Sequence, residues 1–339
     1  MENYKFSKKM ESNYSLSSKH LFKKKAGNSK YYYQLDFNEN LENDLKAIAR
    51  FAKKENILFK IFGMHSNIYI TDNGFDGLFV DISPKNGKIE FDKDSETFKV
   101  TGNLLTSRLV NFTMEKGYDF AALTGIPGMV GSGIVGNAGW TPTKKSFSNF
   151  VKKIILFDFE SEKEIEVIPD ENFFSARNSK IKEFNKNRTV YIVIGAVLKA
   201  EYIGKENVKV KVDEQIKKRR KSLQAGYKDG CAGSIWANPI LKTETGKTFP
   251  EMLKENESLK ANFNGARYGD EGSMFFTTGE ETTDKDVAKL FVFTLEKLRD
   301  LYHVKPKMEL LILDYDGEID LDTFIQRNYN NIWKLQIIK

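Results

Sequence analysis

The sequence predicts a mixed α+β protein of two or three domains with more than one sheet. Three observations predict it. A chain of 339 residues exceeds the usual span of a single core. Apolar residues make up 40% and aromatics 13%, enough to bury a substantial interior. Short, turn-bounded apolar runs also alternate irregularly with amphipathic stretches, and no internal repeat is visible.

Residues 1–19 are polar and rich in Ser and Lys, the composition of a loose arm. Leu41 to Lys54 reads as a helix, with Leu41, Leu45, Ile48, Ala49 and Ala52 on one face. Strands are expected at Ile57 to Phe62, Leu78 to Ile82, Ile89 to Phe91 and Thr97 to Thr101, then a helix at Leu105 to Lys116. A glycine-rich stretch runs from Gly125 to Gly139. Strands at Lys153 to Phe159 and Val190 to Ala200 flank a polar segment that includes Phe173 to Lys182. Val210 to Lys221 and Gly246 to Glu255 are expected helices. So is Asp284 to Tyr302, with a stripe of Val287, Leu290, Phe291, Thr294, Leu295 and Leu298. Met308 to Leu313 closes as an apolar strand, and Ile332, Trp333, Leu335 and Ile337 should pack the 314–339 tail onto the body.

The net charge of +6 comes from 53 basic and 47 acidic residues, interspersed except at Lys23 to Lys25 and Lys217 to Lys221. These runs read as a solvated tail and a helix face; the second can also attract a phosphorylated small molecule. Aromatic residues near it are few, so a nucleic-acid partner is not expected. A lone Cys231 excludes a disulfide framework, and His20, His65 and His303 lack ligand-like spacing, so no metal is expected. The start lacks the apolar stretch of a signal peptide and no window approaches 18 apolar residues, so a cytoplasmic protein without a membrane partner is expected.

The glycine stretch contains Gly125, Ile126, Pro127, Gly128, Gly131, Ser132, Gly133, Gly136, Asn137, Ala138 and Gly139. Gly131 to Gly136 is formally G-x-G-x-x-G, but Gly139 and Pro142 interrupt the helix that a dinucleotide fold needs there. Six glycines permit close approach of backbone to a ligand, through donors that can hold a phosphate; a tight buried turn is the alternative. The turn Gly63, Ser66 and Asn67 after a buried strand is a second loop of this kind. Ser234 sits in Ala232 to Pro239 without a nearby His or a G-x-S-x-G elbow, so proton donation suits it better than nucleophilic attack. Arg177 can supply positive charge to an enolate. Glu309 is a carboxylate in an apolar run, either buried for a task or an edge residue facing water.

In order, these pieces resemble the MurB family, the UDP-N-acetylenolpyruvoylglucosamine reductases. Gly63 to Asn67 with Asp72, Gly74, Phe75 and Gly77 is similar to GSN-x-L-x-x-D-x-G-F-x-G, and Gly125 to Gly128 with Asn137 to Gly139 to G-I-P-G…N-A-G. Arg177 and Ser179 fit Y-R-x-S, Gly233, Ser234, Asn238 and Pro239 fit G-S-x-F-x-N-P, and Glu309 takes the late glutamate position. The resemblance implies a two-part FAD-binding unit of the MurB and vanillyl-alcohol-oxidase kind plus a third α+β substrate-binding domain. The boundaries expected are an arm at 1–19, FAD subdomains at 20–82 (joined by 306–339) and 83–205, and a substrate domain at 206–305.

It further implies that FAD and NADPH are the cofactors and an enolpyruvyl UDP-sugar is the substrate, in a monomer or weak homo-oligomer. Ser234 would protonate an intermediate that Arg177 and Glu309 stabilise, with Ser179 and Asn238 binding substrate. The chain departs from the family at Ala121, Ala176, Ala237, Gly272 and Met274, where polar or aromatic side chains are usual. Those departures leave a second expectation, a flavoprotein of this fold with an altered substrate or without turnover.

Overall fold

The computed structural model describes residues 5–227, 230–268 and 275–329. The chain divides into two compact units. The first takes Met1–Tyr14, Ser29–Met64 and Asp76–Arg219, the second Ser15–Asn28, His65–Phe75 and Arg220–Lys339. Residues 15–28 and 65–75 fall with the C-terminal part of the chain, and residues 29–64 with the middle part.

In the first unit, the helix Leu41–Glu55 has Glu42 and Asp44 in its first turn and Lys53 and Lys54 in its last, matching the sign of the helix dipole at each end. Asn56, at φ +50, terminates it. Its apolar face buries Leu45, Ile48 and Phe51 against a four-stranded sheet ordered Glu11–Ser15, Asn28–Leu35, Phe75–Ile82, Phe59–Phe62. The expected loose arm is packed from residue 5 onward. Asp44 is fully buried and accepts both the Ser7 backbone N–H (2.7 Å) and its hydroxyl (2.5 Å). Phe6 tilts onto Tyr33, and Tyr14 stacks on Tyr32. Polar composition suggested solvation, but a carboxylate buried elsewhere captures the segment.

A second sheet of the same unit is antiparallel, ordered Lys163–Val167, Val151–Asp158, Tyr191–Leu198, Thr97–Thr101, Ile89–Asp92. Its buried residues Phe98, Val100, Ile154, Leu156, Val193 and Leu198 pack in one cluster with Leu109 and Val110 of the helix Thr106–Glu115. Val130 and Ile134 join this cluster from a six-residue helix, Val130–Val135, which ends at Gly136, ahead of Gly139 and Pro142. The basic helix begins earlier than expected, at Lys205, and continues to Tyr227.

The second unit has two sheets. One is ordered Cys231–Ser234, Phe275–Thr277, Ala266–Tyr268, Asn262–Phe263, and the other Gly317–Ile319, Leu311–Asp314, Ile68–Ile70. The helix Asp284–Tyr302 forms as expected, opened by a capping box in which Thr283 and Asp286 each accept the other's backbone N–H. The whole predicted stripe, Val287 to Leu298, is buried against Trp236, Phe276 and Phe324. Gly246 was expected to open a helix; at φ +75 it closes one, Asn238–Thr245, and the next starts at Phe249 behind a Thr248 and Glu251 capping box. Of the C-terminal tail, Leu321–Asn328 is a helix whose Phe324 and Ile325 enter the core; Ile332 to Ile337 lie outside the described residues.

Lys23 to Lys25 is not a solvated tail. Lys24 is buried, and its ammonium bonds Asp72 at 2.8 Å and Asp284 at 2.9 Å. Asp284 also accepts the Tyr69 hydroxyl (2.6 Å) and the Asp72 backbone N–H (2.7 Å). Burial raises the Asp284 carboxyl above its ordinary value and the Tyr69 phenol well above its own. His20 lies in the same place and donates through Nε2 to the Lys24 carbonyl at 2.9 Å.

Candidate active site

In the first unit the glycine segment is laid along residues 102–106. Val130 N–H donates to Leu104 O (2.8 Å), Gly131 N–H to Gly102 O (2.8 Å) and Thr106 N–H to Gly128 O (3.0 Å). Two glycines expected to serve a ligand are there for packing. A Cβ on Gly131 would lie 2.9 Å from Gly102 O, and one on Gly133 would enter the ring of the fully buried Phe147. Gly139 is likewise closed in, by the Lys145 carbonyl and Ser146. The formal G-x-G-x-x-G thus lies within a helix, not in a strand-to-helix turn, and the dinucleotide fingerprint does not apply.

Gly63 and Gly136 are different. A Cβ on Gly63 would meet Ser132 Oγ no closer than 3.5 Å, and one on Gly136 only Ser132 O at 3.5 Å, both ordinary contacts. Neither residue is at positive φ. Among the described residues, neither backbone conformation nor packing requires glycine at 63 or 136. That is the pattern left where a bound group, not the chain itself, approaches the backbone. The two positions meet at Ser132, whose hydroxyl closes the helix start by donating to Met129 O (3.0 Å) and accepting Met129 N–H (3.3 Å). Gly125, Pro127 and Ser132 are exposed, whereas Ile126 is a core residue and Ala138 O accepts Phe147 N–H at 3.0 Å. Gly136 is one of the six glycines of the stretch and closes the formal motif.

Beside this loop lies Arg219, which is half-buried, whereas its neighbours Lys217, Lys218 and Arg220 are exposed. Its Nη1 donates to Thr124 O at 2.5 Å and its guanidinium stands 5.1 Å from the centroid of the Trp140 ring.

Arg177 is at the second position of a two-residue loop between Phe174–Ser175 and Asn178–Ser179, which pair antiparallel. Its φ is +58, left-handed and costly for a residue with a side chain. It is half-buried, with Nε buried. Ser179, expected to contact substrate, is bonded within the protein. It is 1% exposed, donates to Val135 O at 2.7 Å, and accepts Lys182 N–H as the N-cap of the helix Lys180–Phe184. Asn137 is buried and fully engaged: Nδ2 donates to Ser175 O at 2.8 Å and Oδ1 accepts Ser148 N–H at 3.0 Å.

In the second unit the segments carrying Ser234 and Glu309 are bonded together. Glu309 N–H donates to Ile235 O at 2.6 Å, Ala237 N–H to Lys307 O at 2.9 Å, and Trp236 bridges Met308 antiparallel. Glu309 is half-buried and precedes the strand Leu311–Asp314; it is not inside it, so the expected strand begins late. Ser234 ends the strand Cys231–Ser234, opposite Phe275. Asn67 gives both protons of its amide to this strand, bonding Ala232 O and Ser234 O at 2.9 Å each. Gly233, at φ +73, brings a would-be Cβ within 3.2 Å of Ser66 O, so the turn at 66–67 and the Ser234 strand are closely fitted. Asn238 is buried and its Oδ1 accepts Phe249 N–H at 2.9 Å, joining two helices. Gly272 and Met274 lie outside the described residues.

Comparison with known proteins places the chain in a family. A family model described as an FAD binding domain matches residues 40–158. The chain is 30% identical over 274 residues to the UDP-N-acetylenolpyruvoylglucosamine reductase of Bacillus pumilus, covering 79% of this chain and 84% of that protein. With the enzyme of the same name from Rickettsia conorii it shares 27% over 293 residues, 85% and 90% of the two chains. The crystal structure of UDP-N-acetylenolpyruvylglucosamine reductase (MurB) from Thermus caldophilus superposes with a TM-score of 0.67 at 17% identity, over 90% of this chain and 98% of that one. The α+β fold is therefore that of MurB.

Proposed function

The chain belongs to the UDP-N-acetylenolpyruvoylglucosamine reductase family, FAD-dependent oxidoreductases of the MurB type, and from that premise we propose that it reduces UDP-N-acetylglucosamine enolpyruvate to UDP-N-acetylmuramate with NADPH. The observation that carries this reading is the backbone bond from Glu309 N–H to Ile235 O, which fixes a carboxyl-bearing residue to the segment that carries Ser234. The open glycines Gly63 and Gly136, with the exposed Gly125 and Pro127, would hold the FAD. When bound, FAD supplies a hydride that originates from NADPH.

The residues of the chain manage charge and the proton. As hydride reaches the vinyl methylene carbon of the substrate, the C=C pair moves to the carbon next to the carboxylate. Arg177 and Glu309 would stabilise the negative charge that develops there. Both act where the transition state differs from the substrate, so they affect rate more than binding. The O–H bond of Ser234 then breaks, a C–H bond forms at that carbon, and the serine regains a proton from water. The proposed setting is the cytoplasm, as a monomer or weak homo-oligomer; no described helix is long and apolar enough to cross a membrane.

A second reading is a flavoprotein of this fold with another substrate or without turnover. It is favoured by Ala237, which is buried to 2% exposure where the family carries a basic residue. Anaerobic stopped-flow separates the two. Wild-type protein, bleached by NADPH, should be reoxidised by the enolpyruvyl UDP-sugar. In Ser234→Ala, bleaching should persist and reoxidation should fall by at least about 100-fold. Normal reoxidation in the variant would remove Ser234 as proton donor, and none in the wild type would favour the second reading.

A further inference from the structure

The geometry points to Asn137 as a positioning residue for the Arg177 guanidinium, an assignment that rests on the role of Arg177 given above. Asn137 sits at φ +42 with 6% of its surface exposed, and both ends of its amide are bonded within the protein. Nδ2 reaches the carbonyl of Ser175, two residues before Arg177 on the first leg of the hairpin. The second leg is tied by Ser179 Oγ to the carbonyl of Val135, two residues before Asn137. Both legs of a two-residue loop are thus bonded to neighbouring points of the glycine segment, and Arg177 is at its tip.

The tip needs such support. Arg177 is in the left-handed region, where a side-chain-bearing residue stays only when its surroundings over-determine it. Asparagine tolerates that region better than most residues, so position 137 can turn its amide toward the hairpin at low cost. A guanidinium recognises a carboxylate through a fixed fork of donors, so its direction matters as much as its charge. The side chain of Asn137 therefore acts through the hairpin and is not itself a cofactor contact.

The test uses the FAD-loaded enzyme. Asn137→Asp keeps an acceptor for Ser148 N–H but sets an oxygen against the Ser175 carbonyl. FAD content and bleaching by NADPH should stay at wild-type values, while reoxidation by the enolpyruvyl UDP-sugar should slow on the order of 10- to 100-fold. In the Arg177→Ala background the same change should cost nothing more, since the group it positions is gone. Losses that multiply, or reoxidation at the wild-type rate, would overturn the assignment. If Asp at 137 prevents FAD loading, Asn137→Gly, which keeps the left-handed backbone, takes its place. Loss of FAD in both variants also overturns it, because the residue would then support the loop as a whole. If Arg177→Ala alone reoxidises normally, the premise about Arg177 fails, a result distinct from the failure of Asn137.

Discussion

Asn67 Nδ2 donates to the Ser234 carbonyl at 2.9 Å, so the residue read as proton donor ends a strand held by a side chain far away in sequence. The same nitrogen bonds Ala232 O, closing both sides of the left-handed Gly233. Asn67→Ala leaves two carbonyls without that donor and should cost about 1–3 kcal/mol in urea unfolding. Reoxidation by substrate should slow more than bleaching by NADPH does. Equal slowing of the two steps would show that Asn67 supports the unit in general and not Ser234 in particular.

Glu309 is expected to stabilise the intermediate, and Glu309→Gln preserves its shape while removing its carboxyl group. The substrate-dependent step should drop by about 100-fold, in kcat more than in KM, with NADPH bleaching retained. An unchanged rate in single-turnover mixing would make Glu309 a surface glutamate of the segment before the strand.

The glycines should separate by experiment as they do by surroundings. Gly133→Ala places a methyl in the Phe147 ring and should destabilise the protein by about 1–3 kcal/mol. Gly63→Ala and Gly136→Ala find room within the described chain, so melting of the FAD-free protein should hardly change. Their FAD affinity, read by fluorescence titration, should fall at least tenfold. Full affinity in both would remove these two positions from the cofactor loop.

Lys24→Met leaves Asp284 buried without its cation. Asp72 is partly exposed and can be solvated, so most of the cost falls on Asp284. A loss of about 3 kcal/mol in denaturant unfolding is expected. Lys24→Met with Asp284→Asn should recover part of it, and no recovery would mean the pair is not the source.

His20 gives the pH dependence a sign. Burial first, then the Lys24 ammonium, lowers its imidazole to about 4 from 6.5. Between those values the unfolded chain holds a proton there that the folded one does not. Its contribution is therefore present above pH 6.5 and is lost as pH falls toward 4, with an upper bound of about 3 kcal/mol. Asp284, raised by burial, works in the opposite sense, so total stability understates the effect. The comparison with His20→Gln isolates it: wild type should lose more stability than the variant between pH 7 and pH 5. Parallel curves would show that His20 charges freely in the folded protein.

What the sequence disclosed was mostly local or ordered along the chain. Thr283 and Asp286 lie three residues apart and the stripe from Val287 to Leu298 repeats at helical spacing, so that helix was legible to its ends. The order of Gly63, Gly125 to Gly128, Arg177, Ser234 and Glu309 pointed to the family. What stayed hidden depended on distant partners. Asp44 makes Ser7 part of the fold, and Asp284 turns Lys24 from a solvated charge into a buried one. Nor can composition separate Gly133, where a Cβ would enter the Phe147 ring, from Gly136, where it would make only an ordinary contact with Ser132 O. Nor does a sequence say which carbonyls the amides of Asn67 and Asn137 will find.

The passage of the chain between units has a consequence for synthesis. It crosses from one to the other five times, and the second unit takes its strand Ile68–Ile70 and its buried Lys24 from early segments. The Lys24 ammonium must wait for Asp284, 260 residues later, roughly 10–50 s of ribosome time. Ser29–Met64 and Asp76–Arg219 can assemble on the emerging chain. The unit carrying Ser234 and Glu309 can close only when translation is nearly done, so truncated products will lack that unit in folded form.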